Sequence, residues 1–179
     1  MMRLTKASLS ALQRFVIFSF MGAMFVTPVL AQQSQDTARL YAAYTFNLMS
    51  FTQWPKLPKD KLSLCLAGEN RDTQLLSLLN GRLVQGVPIE VISYHPLMPL
   101  ETCQVMFVAS AEYADLFDRA TRLPLLLLTN IMPDNGRSAM VTLVTDSGRV
   151  VFDVDLRLVK QVGVNLPSNL LKLARRVNT

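Results

Sequence analysis

The sequence predicts an α/β fold, a mainly parallel sheet with helices on both faces and a C-terminal antiparallel β-hairpin. Three observations carry this. The stretch Lys61 to Gly68 alternates Leu62, Leu64 and Leu66 with Ser63, Cys65 and Ala67, so both faces are apolar or small, as a strand covered on two sides requires. Two further short apolar runs, Gln104 to Ala109 and Leu125 to Thr129, are separated from it and from each other by helical or turn-rich stretches. Beyond residue 138 the pattern changes to alternating segments joined by Asp146-Ser147-Gly148, a hairpin signature. Strands alternating with helices point to a flavodoxin-like or Rossmann-like sheet.

Residues 1–31 have the layout of an export signal, cleaved before Gln32. Arg3, Lys6 and Arg14 supply a basic start, Phe15 to Val26 is uncharged and apolar, and Val29-Leu30-Ala31 offers tolerated residues at the cleavage positions. A retained anchor is the rival reading. The uncharged run is shorter than the ~20 residues of a comfortable span, and Pro28 interrupts its end. The remainder, 32–179, is the length of one domain with a single core. Loss of the leader removes three of the 18 basic residues and none of the 13 acidic ones, so the net charge falls from +5 to +2. No basic run or basic-aromatic cluster points to nucleic acid.

The chain has two cysteines, Cys65 and Cys103. In an exported protein an even count reads as a disulfide; two buried free thiols are the alternative. Two cysteines and the single His95 are too few for a zinc site, and neither a metal nor a cofactor is expected.

In chain order, Asp36 or Thr37 caps a first helix that runs to Trp54-Pro55, where the residue before proline leaves the α region. Leu40, Tyr44, Leu48 and Phe51 form its stripe; Tyr41, Phe46 and Met49 widen it almost all the way round. Such a helix is buried on more than one side, either under the sheet and a loop or against another chain. The lone Trp54 fits a core plug better than a binding platform. Asn70 to Asn80 is a helix with Leu75, Leu76, Leu78 and Leu79 inward, closed by Gly81. Arg82 and Leu83 connect to a strand over Val87 to Ser93. Residues 94–102, with Pro96, Pro99 and His95, are a loop in place of a helix. Ser110 caps a helix over Ala111 to Arg122 that packs Tyr113, Leu116 and Phe117. Pro133-Asp134-Asn135-Gly136 is a turn. Ala139 to Thr145 and Arg149 to Leu156 form the hairpin at an antiparallel edge. Leu156 to Val162 and Ser168 to Val177 are short helices around Gly163, the last packed by Leu170, Leu171 and Leu173.

Catalytic signatures are missing. Gly68-Glu-Asn-Arg-Asp lacks a dinucleotide fingerprint, and there is no phosphate loop and no nucleophile elbow. Asp153 and Asp155 share a strand face and could serve as an acid-base pair. Asp at alternate positions of an edge hairpin is more simply a solvated face that discourages edge pairing. A hydrolase would have to use this pair. His95, beside a proline and without a nearby nucleophile, reads as a loop residue.

Several segments taken together resemble the YfiR-like family. Tyr44-Thr-Phe-Asn-Leu-Met-Ser-Phe-Thr-Gln-Trp-Pro55 is similar to its Y-x-F-N-F-x-x-F-x-x-W-P helix. Leu64-Cys-Leu-Ala-Gly68, Gly81-Arg82 and Cys103-Gln-Val-Met-Phe-Val-Ala-Ser110 follow in the family's order. Gly148-Arg-Val-Val-Phe-Asp-Val-Asp-Leu156 and Leu166-Pro-Ser-Asn-Leu-Leu-Lys-Leu-Ala174 match its end. The chain departs from the family at Met132 to Ser138, where a Gly-rich, Phe-containing stretch is common, and at Asp155, which replaces an amide. It also lacks the second cysteine pair of some members. The resemblance implies a periplasmic α/β regulatory protein, often dimeric, without catalysis. In the family's best-known case it represses an inner-membrane diguanylate cyclase through that enzyme's periplasmic region, and relief raises cyclic di-GMP and biofilm formation. Related domains accompany membrane sensor kinases. The surfaces expected to meet such a partner are the exposed side of the first helix with Tyr41, Phe46 and Trp54, the 94–102 loop, and the C-terminal helix with Arg175 and Arg176. A periplasmic small-ligand sensor is the alternative, its ligand held in a crevice at the strand ends.

Overall fold

Among the described residues the sheet has eight strands in the order β2-β3-β1-β4-β5-β6-β7-β8. They are β1 (Leu62–Ala67), β2 (Leu83–Val84), β3 (Val87–Ser93), β4 (Val105–Val108), β5 (Leu126–Thr129), β6 (Val141–Asp146), β7 (Arg149–Asp155) and β8 (Arg176–Asn178). The structure, a computed structural model, describes residues 29–132 and 136–179. The proposed leader up to residue 28 and the Pro133-Asp134-Asn135 part of the predicted turn lie outside the described residues. Residues 33–179 form one compact unit.

The parallel strands β3, β1, β4, β5 and β6 are neighbours in that order. Numbered along the chain they run second, first, third, fourth, fifth, which is the flavodoxin-like arrangement. The mainly parallel α/β sheet predicted from the sequence is therefore present, and β6 and β7 form the predicted antiparallel hairpin. Every residue of β1, β4 and β5 is buried, as the two-sided apolar pattern requires. Phe107, Phe117, Phe152, Leu48 and Met49 are the bulkiest fully enclosed side chains.

Among the described residues five α-helices accompany the sheet: α1 (Val29–Phe51), α2 (Arg71–Leu76), α3 (Leu116–Ala120), α4 (Leu156–Gln161) and α5 (Ser168–Leu171). The buried stripe of α1 is Ala38, Tyr41, Thr45, Leu48 and Met49, while Leu40 and Phe51 are exposed. This corrects the stripe read from Leu40, Tyr44, Leu48 and Phe51. On a helix that is apolar nearly all round, periodicity does not single out the face. The small Ala38 and Thr45 go inward, where they allow close approach to the sheet. The helix also stops at Phe51 rather than at Trp54. Gln53 exchanges both backbone hydrogen bonds with Asn165 (2.8 and 3.0 Å), and the Gln85 amide nitrogen donates to the carbonyls of Ser50 and Thr52 (3.0 and 2.9 Å). Carbonyls orphaned at the helix end thus find donors far away in sequence.

That Gln85 belongs to a tight turn the sequence reading missed. Gln85 and Gly86 both have positive φ (51° and 85°) and join the two-residue β2 to β3, as a type I′ hairpin demands. Ser147 and Gly148 do the same between β6 and β7. In α2, Asn70 and Thr73 form a reciprocal capping box, and a 3₁₀ turn over Ser77–Leu79 completes the predicted helix. Leu76 and Leu79 are buried, but Leu78 is exposed. The helix predicted from Ala111 is broken into a 3₁₀ turn, Ala111–Tyr113, followed by α3, and the Ser110 side chain makes no capping bond.

The largest correction is at the C-terminus. The helix predicted to Val177 ends at Leu171, Leu173 is exposed, and Arg175 N donates to Phe152 O at 2.8 Å. The chain then runs parallel to β7 as β8. The hairpin is therefore not the edge of the sheet, because β8 covers it.

Candidate ligand crevice and docking surfaces

Chains leaving β1 and β4 at their carboxyl ends travel to opposite sides, one to β3 and the other to β5. That divergence is where sheets of this order place ligands. Here the protein's own loops close the gap. Gly68 has φ +98°, and a Cβ on it would lie 2.7 Å from Ser110 Cβ and 3.0 Å from Ser110 N. Only glycine lets the two loops approach so closely. Ala109 N donates to Ala67 O at 2.8 Å, and the Asn70 amide donates to Ala109 O at 3.2 Å. The Asn130 amide donates to Asp72. Burial raises the Asp72 pKa despite that bond and the nearby Arg71.

The open crevice lies beside this closure, toward β3. It encloses about 870 Å³ and is lined by Glu69, Gln74, Ser77, Tyr94, Glu112 and Tyr113 among others. The rings of Tyr94 and Tyr113 meet edge to face, centroids 6.1 Å apart at 74°. The sequence reading had placed a ligand crevice at the strand ends but named none of these residues. Tyr94 and Glu112 sit in segments read as a plain loop and a plain helix.

Cys65 and Cys103 form the predicted disulfide, with Cα atoms 5.8 Å apart. The connection from β3 to β4 must cross β1, and it contains only a 3₁₀ turn, Leu100–Thr102. The disulfide ties the end of this irregular crossing to the middle of the strand it crosses. Next to Cys103 lies a second, apolar groove of about 540 Å³, lined by Trp54, Pro55, Pro58, Leu123 and Pro124. Trp54 is half-buried, and its indole N–H is buried with no hydrogen-bond partner among the described residues.

The residues singled out as a partner surface separate into three situations. Tyr41 is buried, and its hydroxyl meets Thr145 Oγ1 at 3.0 Å, so it offers no surface. Phe46 is half-buried beneath Arg82, whose guanidinium carbon stands 4.0 Å from the ring centroid, a cation–π contact. Arg175 lies just before β8 and Arg176 is its first residue, so neither is on a helix. Both guanidinium groups reach Asp153 Oδ2 at 2.6 Å, and Arg175 also reaches Asp146 at 3.3 Å. The Arg175 hydrogen bonds hold the Asp153 pKa down at about 2, against the opposing effect of burial and with further help from Arg176.

Asp155 points to a different role. For Asp155, burial acts to raise the pKa, but bonds from Arg157 and the backbone amides of Arg157 and Leu158 outweigh it and leave the pKa lowered. Those same bonds (3.1 Å from Arg157 N, 3.3 Å from Leu158 N) cap α4. The solvated-face reading of Asp153 and Asp155 is thus corrected: one is an ion-pair hub and the other a helix cap. Neither is left free to act as an acid or base. Among the described residues no group of three or more His, Cys, Asp or Glu side chains could hold a metal ion, and no helix is long and apolar enough to cross a membrane.

A flavodoxin-ordered sheet stapled by one disulfide, with open crevices and with Asp153 and Asp155 tied into structural roles, defines a domain of the α/β class. The chain belongs to the YfiR/HmsC-like family, whose model matches residues 38–175; the family is one of periplasmic regulatory proteins. No curated protein sequence matches the chain. Among solved structures, it is similar to the ABC domain in complex with L-Trp from Streptococcus pneumonia, at 7% identity over 79% of this chain and 62% of that one, TM-score 0.49. It is also similar to a conserved domain protein from Vibrio cholerae, at 10% identity over 77% and 60%, TM-score 0.49. The chain thus spans about three-fifths of each of those chains.

Proposed function

We propose that this protein is an exported periplasmic regulator that holds an inner-membrane signalling enzyme, a diguanylate cyclase, in its inactive state and so lowers cyclic di-GMP and biofilm formation. The observation that carries this reading is the family match over 38–175, nearly the whole compact unit. A binding protein shifts a two-state enzyme only through its differential affinity for the two states. The docking surface must therefore be one the cyclase presents differently when active. Phe46 with Arg82 on the flank of α1, and the half-buried Trp54 at the mouth of its apolar groove, are the aromatic anchors available for it.

The test is cyclic di-GMP measured in cells with and without the gene. The level rises on deletion and returns when the protein is supplied with its leader, but not when supplied without it. An unchanged level refutes the cyclase as target. A membrane sensor kinase as the partner is the second reading, supported by the open strand-end crevice through which a small ligand would set the regulator's state.

A further inference from the structure

The outer side of α1 carries a seam that the protein's own core does not use. Leu40, Tyr44, Asn47 and Phe51 follow one another at spacings of four, three and four residues, the spacing of a coiled-coil seam. They lie roughly 120° round the helix axis from the stripe that faces the sheet. Leu40 and Phe51 are 43% and 47% exposed, Asn47 is exposed and Tyr44 half-buried. The Tyr44 ring meets Phe152 at 5.9 Å between centroids, which fixes the middle of the seam against β7. Ala43 is exposed beside it and is small enough to let another helix come close. A single exposed Leu is ordinary, but a heptad-spaced row on one continuous helix is a surface for a second helix. This row also reads the same in both directions. Leu40 and Phe51 mirror each other about a point between Thr45 and Phe46, and so do Tyr44 and Asn47. Asp36 and Lys56 stand on opposite sides of that point, nearly as many residues away. Both are exposed and make no ion pair among the described residues.

We infer that this seam is a two-fold interface, packed antiparallel on the same seam of a second copy of this chain. In a two-fold contact every pair of residues occurs twice with the copies exchanged. An antiparallel pair centred between Thr45 and Phe46 sets Leu40 of one copy against Phe51 of the other, and Tyr44 against Asn47. The same axis brings Asp36 of each copy toward Lys56 of the other, so opposite charges meet at both ends. The mirror symmetry and this charge match select a second copy as the occupant, since an unrelated helix gains nothing from a row that reads alike both ways. A polar residue in such a seam fixes register and orientation at some cost in stability, and Asn47 supplies it. Phe46 beneath Arg82 lies on the flank turned away from the seam, so pairing leaves that anchor open to a membrane partner. The inference does not rest on the cyclase reading. An unchanged cyclic di-GMP level refutes that reading, whereas this interface is measured on the purified protein alone.

The experiment is sedimentation velocity of the oxidised, purified protein across the micromolar concentration range, followed by crosslinking. The wild type sediments as a monomer–dimer equilibrium. Leu40→Glu and Phe51→Glu each weaken the dimer by about tenfold or more, because each sets a carboxylate against an apolar side chain of the other copy. Both positions are exposed in the single chain, so the melting temperature of the dilute variants stays at the wild-type value. Both native cysteines are in the disulfide, so an added cysteine is the one free thiol. On mild oxidation a mixture of Leu40→Cys and Phe51→Cys forms disulfide-linked dimers that neither variant forms alone, which reports the antiparallel register directly. A protein that stays monomeric across the range overturns the inference, and loss of cyclic di-GMP repression in Phe51→Glu then assigns the seam to the membrane partner instead. A dimer indifferent to both glutamate substitutions, or crosslinking as efficient within each cysteine variant as in the mixture, overturns it as well.

Discussion

The two ends of the sheet are held by different forces. From β3 through β5 the strands are parallel, every side chain of β1, β4 and β5 is buried, and the irregular crossing from β3 to β4 is fastened by a disulfide. In β6 and β7 buried residues alternate with half-buried or exposed ones, and β8, exposed throughout, is attached at the surface by the cluster of Asp146, Asp153, Arg175 and Arg176. The first region depends on burial and on a covalent constraint, both indifferent to moderate pH and salt. The second depends on ionisation, which pH and salt can reach. A signal that alters this domain without unfolding it therefore has an easier purchase on the β7–β8 side.

Removing the disulfide gives the largest effect on that contrast. Cys65→Ser with Cys103→Ser frees a loop of 38 residues and lowers stability by up to about 3.9 kcal/mol in the chain-entropy model, seen as a reduced denaturant midpoint of the oxidised protein. The loss is the same at high and low salt. If the double variant matches the wild type, the crossing from β3 to β4 is held by packing alone and the contrast collapses.

Acid acts on the opposite end. The folded pKa of Asp153 is about 2 against the ordinary 3.8, so its contribution is complete above about pH 4 and is lost as the pH falls toward 2. The shift corresponds to no more than about 2 kcal/mol, since the arginines share the ion pair with solvent. Asp153→Asn flattens the stability profile between about pH 4 and 2 and loosens β8, read as faster amide exchange at Val177 and Asn178. A variant with the wild-type profile shows that β8 does not depend on the ion pairs.

The smallest change probes the join between α1 and the hairpin. Tyr41→Phe removes the bond to Thr145 and costs about 1 kcal/mol, without altering cyclic di-GMP repression, because a buried Tyr41 meets no partner. A variant that folds as well as wild type but no longer represses puts Tyr41 back on the docking surface.

Where the sequence reading succeeded, the determining information was local. The two-sided apolar runs at 62–67, 105–108 and 126–129 admit only an enclosed strand, and Ser147-Gly148 admits a tight hairpin turn. Cys65 and Cys103 were legible because an even cysteine count in a chain expected to be exported reads most simply as a disulfide. The candidate crevice was legible only as a location at the strand ends. Its residues come from four separate segments, and nothing in the local pattern around Tyr94 or Glu112 announces that they face one another.

What tertiary structure alone decided was every choice between locally equivalent options. The apolar circumference of α1 offered several faces, and packing selected Ala38, Tyr41, Thr45 and Leu48. The helix end at Phe51 was set by Gln85 and Asn165, distant in sequence, supplying its hydrogen-bond partners. The sequence pattern reads as helix to Val177, yet from Arg175 on the chain bonds to β7 and its two arginines pair with Asp153. Burial patterns are written along the chain because each residue reports its own side of an element; pairings between distant charges and orphaned carbonyls are not, because each needs a partner that only folding brings near.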